Sequence, residues 1–312
     1  MDHKKILIIK MGYSETLDQE MTKTVSLGDV LRCTVVLEPL KEKFPRSHIT
    51  WLVSNEAVPL VTHNKYIDRL LVWDEFIPYV LMREKYDIVI NLEKIDGVCA
   101  LTDMIDAWER IGFRFNSQTG TFDTYMQSMV AKEYMLGKTE KGQRHIWQKI
   151  IIEMIGAQWK EQEYSLGYKP RTKEKFDAGF NFYVGTKWPT KAMSDKKWQE
   201  LEEVLKKDKL RISWQQGMDN LYDYMNWINS CRTIVTSDSL GLHLALALKK
   251  NVIALFGATD DQEIYLYRRG VSIKPKTKYN CLPCYSSTCR QKKHCMDFLD
   301  VKQIAKEIKK GL

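Results

Sequence analysis

The stretch Thr233–Gly257, TIVTSDSLGLHLALALKKNVIALFG, constrains the fold of this chain more than any other. Thr233–Thr236 is short, apolar and β-branched, Leu240–Leu248 is a run of helix formers, and Val252–Phe256 repeats the strand character. Strand, tight polar turn, helix and strand in that order make a parallel α/β unit. Asp238 and Ser239 fall where the helix needs its N-cap. A buried helix entered from the carboxyl end of a parallel strand aims backbone N–H groups and a partial positive charge above the sheet, which favours anions, phosphate above all. On spacing alone a plainer reading stands beside this one: Asp-Ser before a helix is ordinary capping, and His243 in an apolar helix is a satisfied core residue.

The same alternation runs through the rest of the chain. Strands are expected at Lys5–Ile9, His48–Val53, Leu70–Val72 and Ile88–Asn91, with an amphipathic helix over Val30–Phe44 and a helical stretch over Ala100–Gly112. Between Ser165 and Phe180 the pattern lapses into SLGYKPRTKEKFDAGF, polar with Pro and Gly, which marks a domain boundary. A second alternation follows: a strand at Phe182–Val184, a helix capped by Ser194 with Trp198, Leu201, Val204 and Leu205 on one face, a short strand near Ile212, a helix over Leu221–Asn229, and the Thr233–Gly257 unit. The expected division is a Rossmann-like domain over 1–170, a second over 171–298, and a closing helix over 299–312, about Val301–Lys310. Each would be doubly wound, with a parallel sheet covered on both faces and ligands at the carboxyl edges of its strands.

Bulk properties narrow the function classes. At 312 residues the chain exceeds one core. MDHKKILIIK carries only Ile6–Ile9 as an apolar run, a first strand rather than a signal peptide, and no stretch approaches the ~20 apolar residues of a membrane helix. A cytoplasmic protein is expected. The formal charge of +8 gathers in Lys187–Lys209 and Arg290–Lys310. Solvated helix faces, or attraction to an anionic inner-membrane surface or anionic acceptor, account for it; no nucleic-acid-binding motif accompanies it, so nucleic acid is not an expected partner. A nicotinamide-dependent dehydrogenase would need a G-x-G-x-x-G turn after a strand, and there is none.

Three further segments carry chemistry-bearing residues. Ser26-Leu-Gly28-Asp29-Val-Leu-Arg32 leads into the first helix, where Gly28 permits a tight turn and Asp29 lies at the helix N-terminus, the position of a common cap. Val184-Gly-Thr-Lys187-Trp-Pro-Thr-Lys191 follows a strand and precedes a helix; read alone, its lysines are solvated surface groups. Cys281, Cys284, Cys289 and Cys295 fall within fifteen positions, a spacing that suits tetrahedral thiolate coordination of a structural zinc or iron, with reduced unligated thiols and a disulfide as the other readings.

Taken in order, Ser26-Leu-Gly-Asp29, the Trp188-Pro-Thr-Lys191 turn, Asp238-Ser239 with His243 five residues after the Asp, Leu255-Phe-Gly and the Cys281 to Cys295 cluster resemble glycosyltransferase family 9, the bacterial heptosyltransferases. The resemblance implies the GT-B fold, two Rossmann-like doubly wound α/β domains facing across a cleft. It implies an inverting transferase that moves a heptose from ADP-heptose to a lipopolysaccharide core or related saccharide or lipid-linked acceptor, with no cofactor required for catalysis. Domain 1–170 would bind the acceptor, with Asp29 as general base and Ser26, Gly28 and Arg32 beside it. Domain 171–298 would bind the donor through Lys191, Lys187, Asp238, Ser239, Gly241, Leu242 and His243, and would carry the four-cysteine segment 281–295. A same-fold transferase using another sugar nucleotide or a protein hydroxyl, and a catalytically silent sugar-nucleotide-binding protein, are the alternatives. Two departures stand out: Leu240 occupies the position where the family has Gly, with Gly241 next to it, and Gly12–Val25, GYSETLDQEMTKTV, separates the first strand from Ser26 where the family has almost nothing. That insert reads as a lid over the acceptor or a surface loop.

Overall fold

A computed structural model describes residues 3–13, 24–135, 146–216 and 220–311. The chain divides into two compact units, Met1–Tyr168 and Lys169–Leu312.

The first unit runs β1 (Lys5–Ile9), α1 (Leu27–Cys33), α2 (Leu37–Lys43), β2 (His48–Val53), α3 (Val58–Val61), β3 (Arg69–Val72), α4 (Ile77–Arg83), β4 (Lys85–Asn91), α5 (Asp96–Met104), β5 (Asp106–Asn116), β6 (Thr121–Thr124), α6 (Met129–Met135) and α7 (Trp147–Met154). Its sheet has the order β3-β2-β1-β4-β5-β6, parallel except for the antiparallel β5–β6 pair. Ile6, Leu7, Ile8 and Ile9 are all fully buried, as expected of a central strand covered on both faces. The helix expected over Val30–Phe44 begins three residues earlier and contains a tighter turn at Thr34–Val36.

The second half of the expected helix Ala100–Gly112 is strand instead. Helix α5 ends at Met104, and β5 pairs with β4 from Lys85↔Asp106 to Asn91↔Gly112. Ile111, Gly112 and Phe113 lie buried at the point where Gly112 takes φ +97° against the Asn91 carbonyl, a conformation and proximity open only to glycine.

The second unit runs β7 (Phe176–Asn181), α8 (Asp195–Lys207), β8 (Ile212–Trp214), α9 (Leu221–Asn229), β9 (Cys231–Ser237), α10 (Leu240–Ala247), β10 (Asn251–Leu255), β11 (Gly270–Ile273) and α11 (Val301–Lys310). Its sheet is wholly parallel, in the order β11-β10-β9-β7-β8. The first strand lies at Phe176–Asn181, not at Phe182–Val184, and so falls inside the stretch whose polar composition suggested only a linker. Its small residues are required by packing: a Cβ on Gly179 would stand 2.6 Å from the Cys231 sulfur. One side of this sheet carries Phe180, Trp198 and Trp214, whose rings meet at 5.1–6.2 Å, together with Leu201, Leu205, Ile304 and Ile308 from α8 and α11. Helix α10 is buried almost all round, His243 included, which fits a helix that is apolar on every face.

Both strand orders contain a switch point, where successive strands part to opposite sides. It lies between β1 and β4 in the first unit and between β7 and β9 in the second. Ligands of open α/β sheets bind above the carboxyl ends of the strands at that point.

Candidate functional site

The switch point of the first unit holds a buried charge cluster. Lys10, just past β1, forms an ion pair with Asp29 of α1, and both side chains are almost fully buried. Arg32, one helical turn after Asp29, places its terminal nitrogen 2.6 Å from the same carboxylate. Just past β4, Glu93 lies 3.4 Å from Lys10 and accepts the backbone N–H groups of Met11 at 2.7 Å and Gly12 at 2.6 Å. The charge on Asp29 is therefore fixed from two sides. Burial alone would raise its carboxyl, but Lys10, then Arg32 and Lys94, outweigh burial and hold it far below the ordinary carboxylate range. The Lys10 ammonium is likewise pushed up, because Asp29 and Glu93 outweigh its own burial. Lys94 goes the other way: burial, only partly opposed by Asp29, brings it down to about 8. Trp147 of α7 closes the cluster, with the Arg32 guanidinium 5.3 Å and the Lys94 ammonium 5.9 Å from its ring.

Gly28 lies inside α1 rather than in a turn. The glycine that bends the chain is Gly12, at φ +102°. Ser26 is the N-cap of α1 without a side-chain capping bond, and its backbone N–H donates to the Gly12 carbonyl at 2.7 Å. The two ends of the Gly12–Val25 insert thus meet, and Asp29 reaches the strand end despite the excursion. Residues 14–23, on which the lid reading depends, lie outside the described residues.

In the second unit the turn between β9 and α10 meets the turn that follows β7. Lys191 donates to the Asp238 carboxylate at 2.7 Å, and the Thr259 hydroxyl donates to the same oxygen at 2.8 Å. Burial would raise Asp238, but Lys191, then the more distant His243, overcome it and bring the carboxyl down to about 2. The His243 Nε2 stands 4.0 Å from the other carboxylate oxygen, outside hydrogen-bond reach. Ser237 donates its hydroxyl to the Lys191 carbonyl at 2.6 Å, which fixes the backbone beneath the ammonium. Lys187 sits half-buried in the turn before Trp188.

Ser239 caps α10 by position only. Its Oγ is 3.1 Å from both the Asn181 amide nitrogen and the Thr236 hydroxyl, and the Asn181 carbonyl oxygen accepts the Tyr224 hydroxyl at 2.6 Å. This buried network braces the turn from β7 and α9. It also explains Gly241: a Cβ there would stand 2.5 Å from the Tyr224 hydroxyl and closer still to the Asn181 amide. Gly241→Ala is expected to cost about 1–3 kcal/mol through this overpacking, read by chemical denaturation; an unchanged denaturation midpoint would show that the network yields freely.

The residues Lys10, Glu93, Lys94, Asn181 and Tyr224 were not singled out from sequence. Most of them lie at or within a few residues of the carboxyl end of a central strand, and a polar residue there in a doubly wound domain was the available signal. The cysteines are free: Cys281 and Cys289 are exposed, Cys284 is half-buried and Cys295 is buried. Burial, then the neighbouring Cys284 and Cys289, push the Cys295 thiol up to about 11. Among the described residues no three His, Cys, Asp or Glu side chains gather closely enough to hold a metal ion. Nor is any described helix long and apolar enough to cross a membrane.

The family model for glycosyltransferase family 9 (heptosyltransferase) matches residues 216–295, a span that includes Asp238–His243 and the four cysteines but neither Asp29 nor Lys191. No curated protein matches the chain. Solved structures match over nearly its full length. A glycosyl transferase family 9 protein from Veillonella parvula is 15% identical with a TM-score of 0.69, covering 99% of this chain and 97% of its own. The Escherichia coli ADP-heptose lipopolysaccharide heptosyltransferase II is 14% identical, TM-score 0.66, with 98% of each chain covered. The E. coli heptosyltransferase WaaC, solved with ADP, is 15% identical, TM-score 0.63, again with 98% of each chain covered. The iron-containing dodecameric glycosyltransferase TibC of enterotoxigenic E. coli is 13% identical, TM-score 0.60, covering 99% of this chain and 76% of its own. The two parallel-sheet domains are those of the GT-B fold.

Proposed function

We infer that this chain, a glycosyltransferase with the family 9 signature over residues 216–295, transfers a heptose from ADP-heptose to a saccharide acceptor of the lipopolysaccharide core type. The observation that carries the reading is the β9–α10 turn. At the switch point of the second sheet, a buried Lys191 ammonium, tied to Asp238, stands beside the N-terminus of a buried helix. Backbone N–H groups of the first helical turn and a lysine with two donors beyond its bond to Asp238 form a receptor for a diphosphate. WaaC has been solved with ADP and with ADP-2-deoxy-2-fluoro heptose, and TibC with ADP-D-β-D-heptose, which supports an ADP-activated heptose as donor here.

In the reaction we propose, an acceptor hydroxyl attacks the anomeric carbon in one displacement that inverts it, and ADP leaves as the C–O bond to its phosphate breaks. The hydroxyl proton passes to Asp29, while Lys191, the α10 N-terminus and Lys187 stabilise the charge that develops on the diphosphate, so the reaction asks no metal ion of the site. Such displacements pass through oxocarbenium-like transition states, in which bond breaking leads and the proton moves late; a weakly basic carboxylate suffices for that. Asp238 and His243 orient the turn and the sugar, and Arg32 with Ser26 and Gly28 flanks the acceptor. The basic runs at Lys187–Lys209 and Arg290–Lys310 suit an anionic or lipid-linked acceptor and a peripheral stay at an anionic inner-membrane surface.

One observation favours a second reading. Lys10 and Arg32 both occupy the Asp29 carboxylate, and a protein that binds a sugar nucleotide without turning it over would keep such a clamp shut. ADP release from ADP-heptose in the presence of heptose-accepting saccharides decides between them. The transferase reading expects acceptor-dependent release. Tight ADP binding with no release from any acceptor selects the second reading, and mass spectrometry over a panel of nucleotide sugars identifies the donor.

A further inference from the structure

Strand β8 is the outer neighbour of β7, and Gln215 follows its last residue. Its backbone N–H donates to the Phe180 carbonyl at 3.1 Å, so it extends the β7–β8 pairing to the carboxyl edge of the sheet, level with Asn181. Side chains alternate along a strand. Trp214 points to the side that carries Phe180 and Trp198, while Ser213 points to the other, where Trp227 of α9 donates to its hydroxyl at 3.0 Å. Gln215 therefore belongs to the α9 side, the side of Asn181 and Tyr224, whose network braces the β9–α10 turn.

Only 5% of Gln215 is exposed, yet neither the oxygen nor the nitrogen of its carboxamide has a hydrogen-bond partner. A buried amide with both ends unmet costs free energy, and in a native chain such a group calls for a cause, a partner that completes it among them. The strand order supplies the ligand's place. Gln215 lies two strands from the diphosphate turn, with β7 between them, or ~10 Å at the usual strand spacing. That is the reach of a nucleoside from its 5′ oxygen toward the edge of its base. A carboxamide offers one acceptor beside two donors, the pattern that pairs with the exocyclic amine and a ring nitrogen of adenine.

We propose that Gln215 is a base-contacting residue of the donor site, whose carboxamide hydrogen-bonds the adenine of the donor. This rests on the reading of the β9–α10 turn as a diphosphate receptor. The test compares wild type with Gln215→Met, which keeps length and removes both polar atoms, by calorimetric titration with ADP and inorganic pyrophosphate, beside the melting temperature of the ligand-free protein. The variant is expected to bind ADP roughly tenfold or more weakly, to bind pyrophosphate as wild type does, and to melt no lower than wild type. Unchanged ADP affinity overturns the proposal while leaving the diphosphate receptor standing. A lowered melting temperature with equal losses for both probes also overturns it, because the amide would then serve the fold. Wild type that binds neither ADP nor pyrophosphate overturns the proposal and the donor reading together.

Discussion

Asp29→Asn is expected to lower acceptor-dependent ADP release by roughly 10²- to 10⁴-fold, the usual contribution of a positioned general base, while ADP affinity in the second unit stays at the wild-type value. The same change strikes the fold. Lys10 is buried and Arg32 nearly so, and an amide in place of the carboxylate leaves two cations facing a neutral group. Breaking a buried pair by removing one partner costs about 3–5 kcal/mol, so the variant should unfold at distinctly lower denaturant. Glu93 remains to hold Lys10, at 3.4 Å, which limits the loss. ADP release and the denaturation midpoint must therefore be measured on the same sample. Turnover within tenfold of wild type in a folded variant removes Asp29 as the base; lost turnover with retained ADP binding supports it.

Lys191→Met is expected to act on the other half of the reaction. The loss of one preorganised cation at a developing charge costs about 10²–10³ in rate, and ADP should bind more weakly in parallel. Asp238 would keep its bond from Thr259 but lose the cation 2.7 Å away. The stability of the pair has a definite pH dependence. Asp238 is held at about 2 against an ordinary 3.8, so the difference of 1.8 corresponds to about 2 kcal/mol. Because the folded-state value is the lower one, that stabilisation is complete above pH ~4 and disappears as pH falls through ~2. Wild type should lose melting temperature over this range, and Lys191→Met should lose less of it. If the two proteins show parallel acid melting curves and equal ADP affinities, Lys191 neither holds Asp238 nor meets the diphosphate.

How far the sequence alone carried these conclusions depended on the kind of residue. Strands that are solid apolar runs, such as Lys5–Ile9 and Asn251–Leu255, and helices with a clear stop and start, such as Val301–Lys310, are readable because burial on both faces or a single stripe leaves a periodic trace. Strand β5 leaves none: Trp108, Glu109 and Arg110 precede its buried centre, and Trp108 is almost wholly exposed. Strand β7 is hidden for the opposite reason, since the chain must thin to Ala178 and Gly179 to let Cys231 and Ile234 pack against it. The site behaves likewise. Asp29, Lys191 and Asp238 stand in local motifs and are legible as candidates, whereas Lys10, Glu93 and Asn181 contact partners 19 to 83 residues away, Asp29 and Glu93 for Lys10, Thr236 and Ser239 for Asn181. No local pattern records such pairings.

The hydrogen bond from Ser26 to the Gly12 carbonyl bears on how this chain can vary over generations. A chain that leaves and re-enters at one point holds the two ends of the excursion together whatever its length. Loop closure grows only logarithmically with length, each doubling costing about 0.6 kcal/mol. Residues can accumulate or vanish between positions 12 and 26 without moving the carboxylate three residues further on. The segment is thus a slot in which descendants can diversify in sequence and size, while the chemistry next to it stays where the strand end put it.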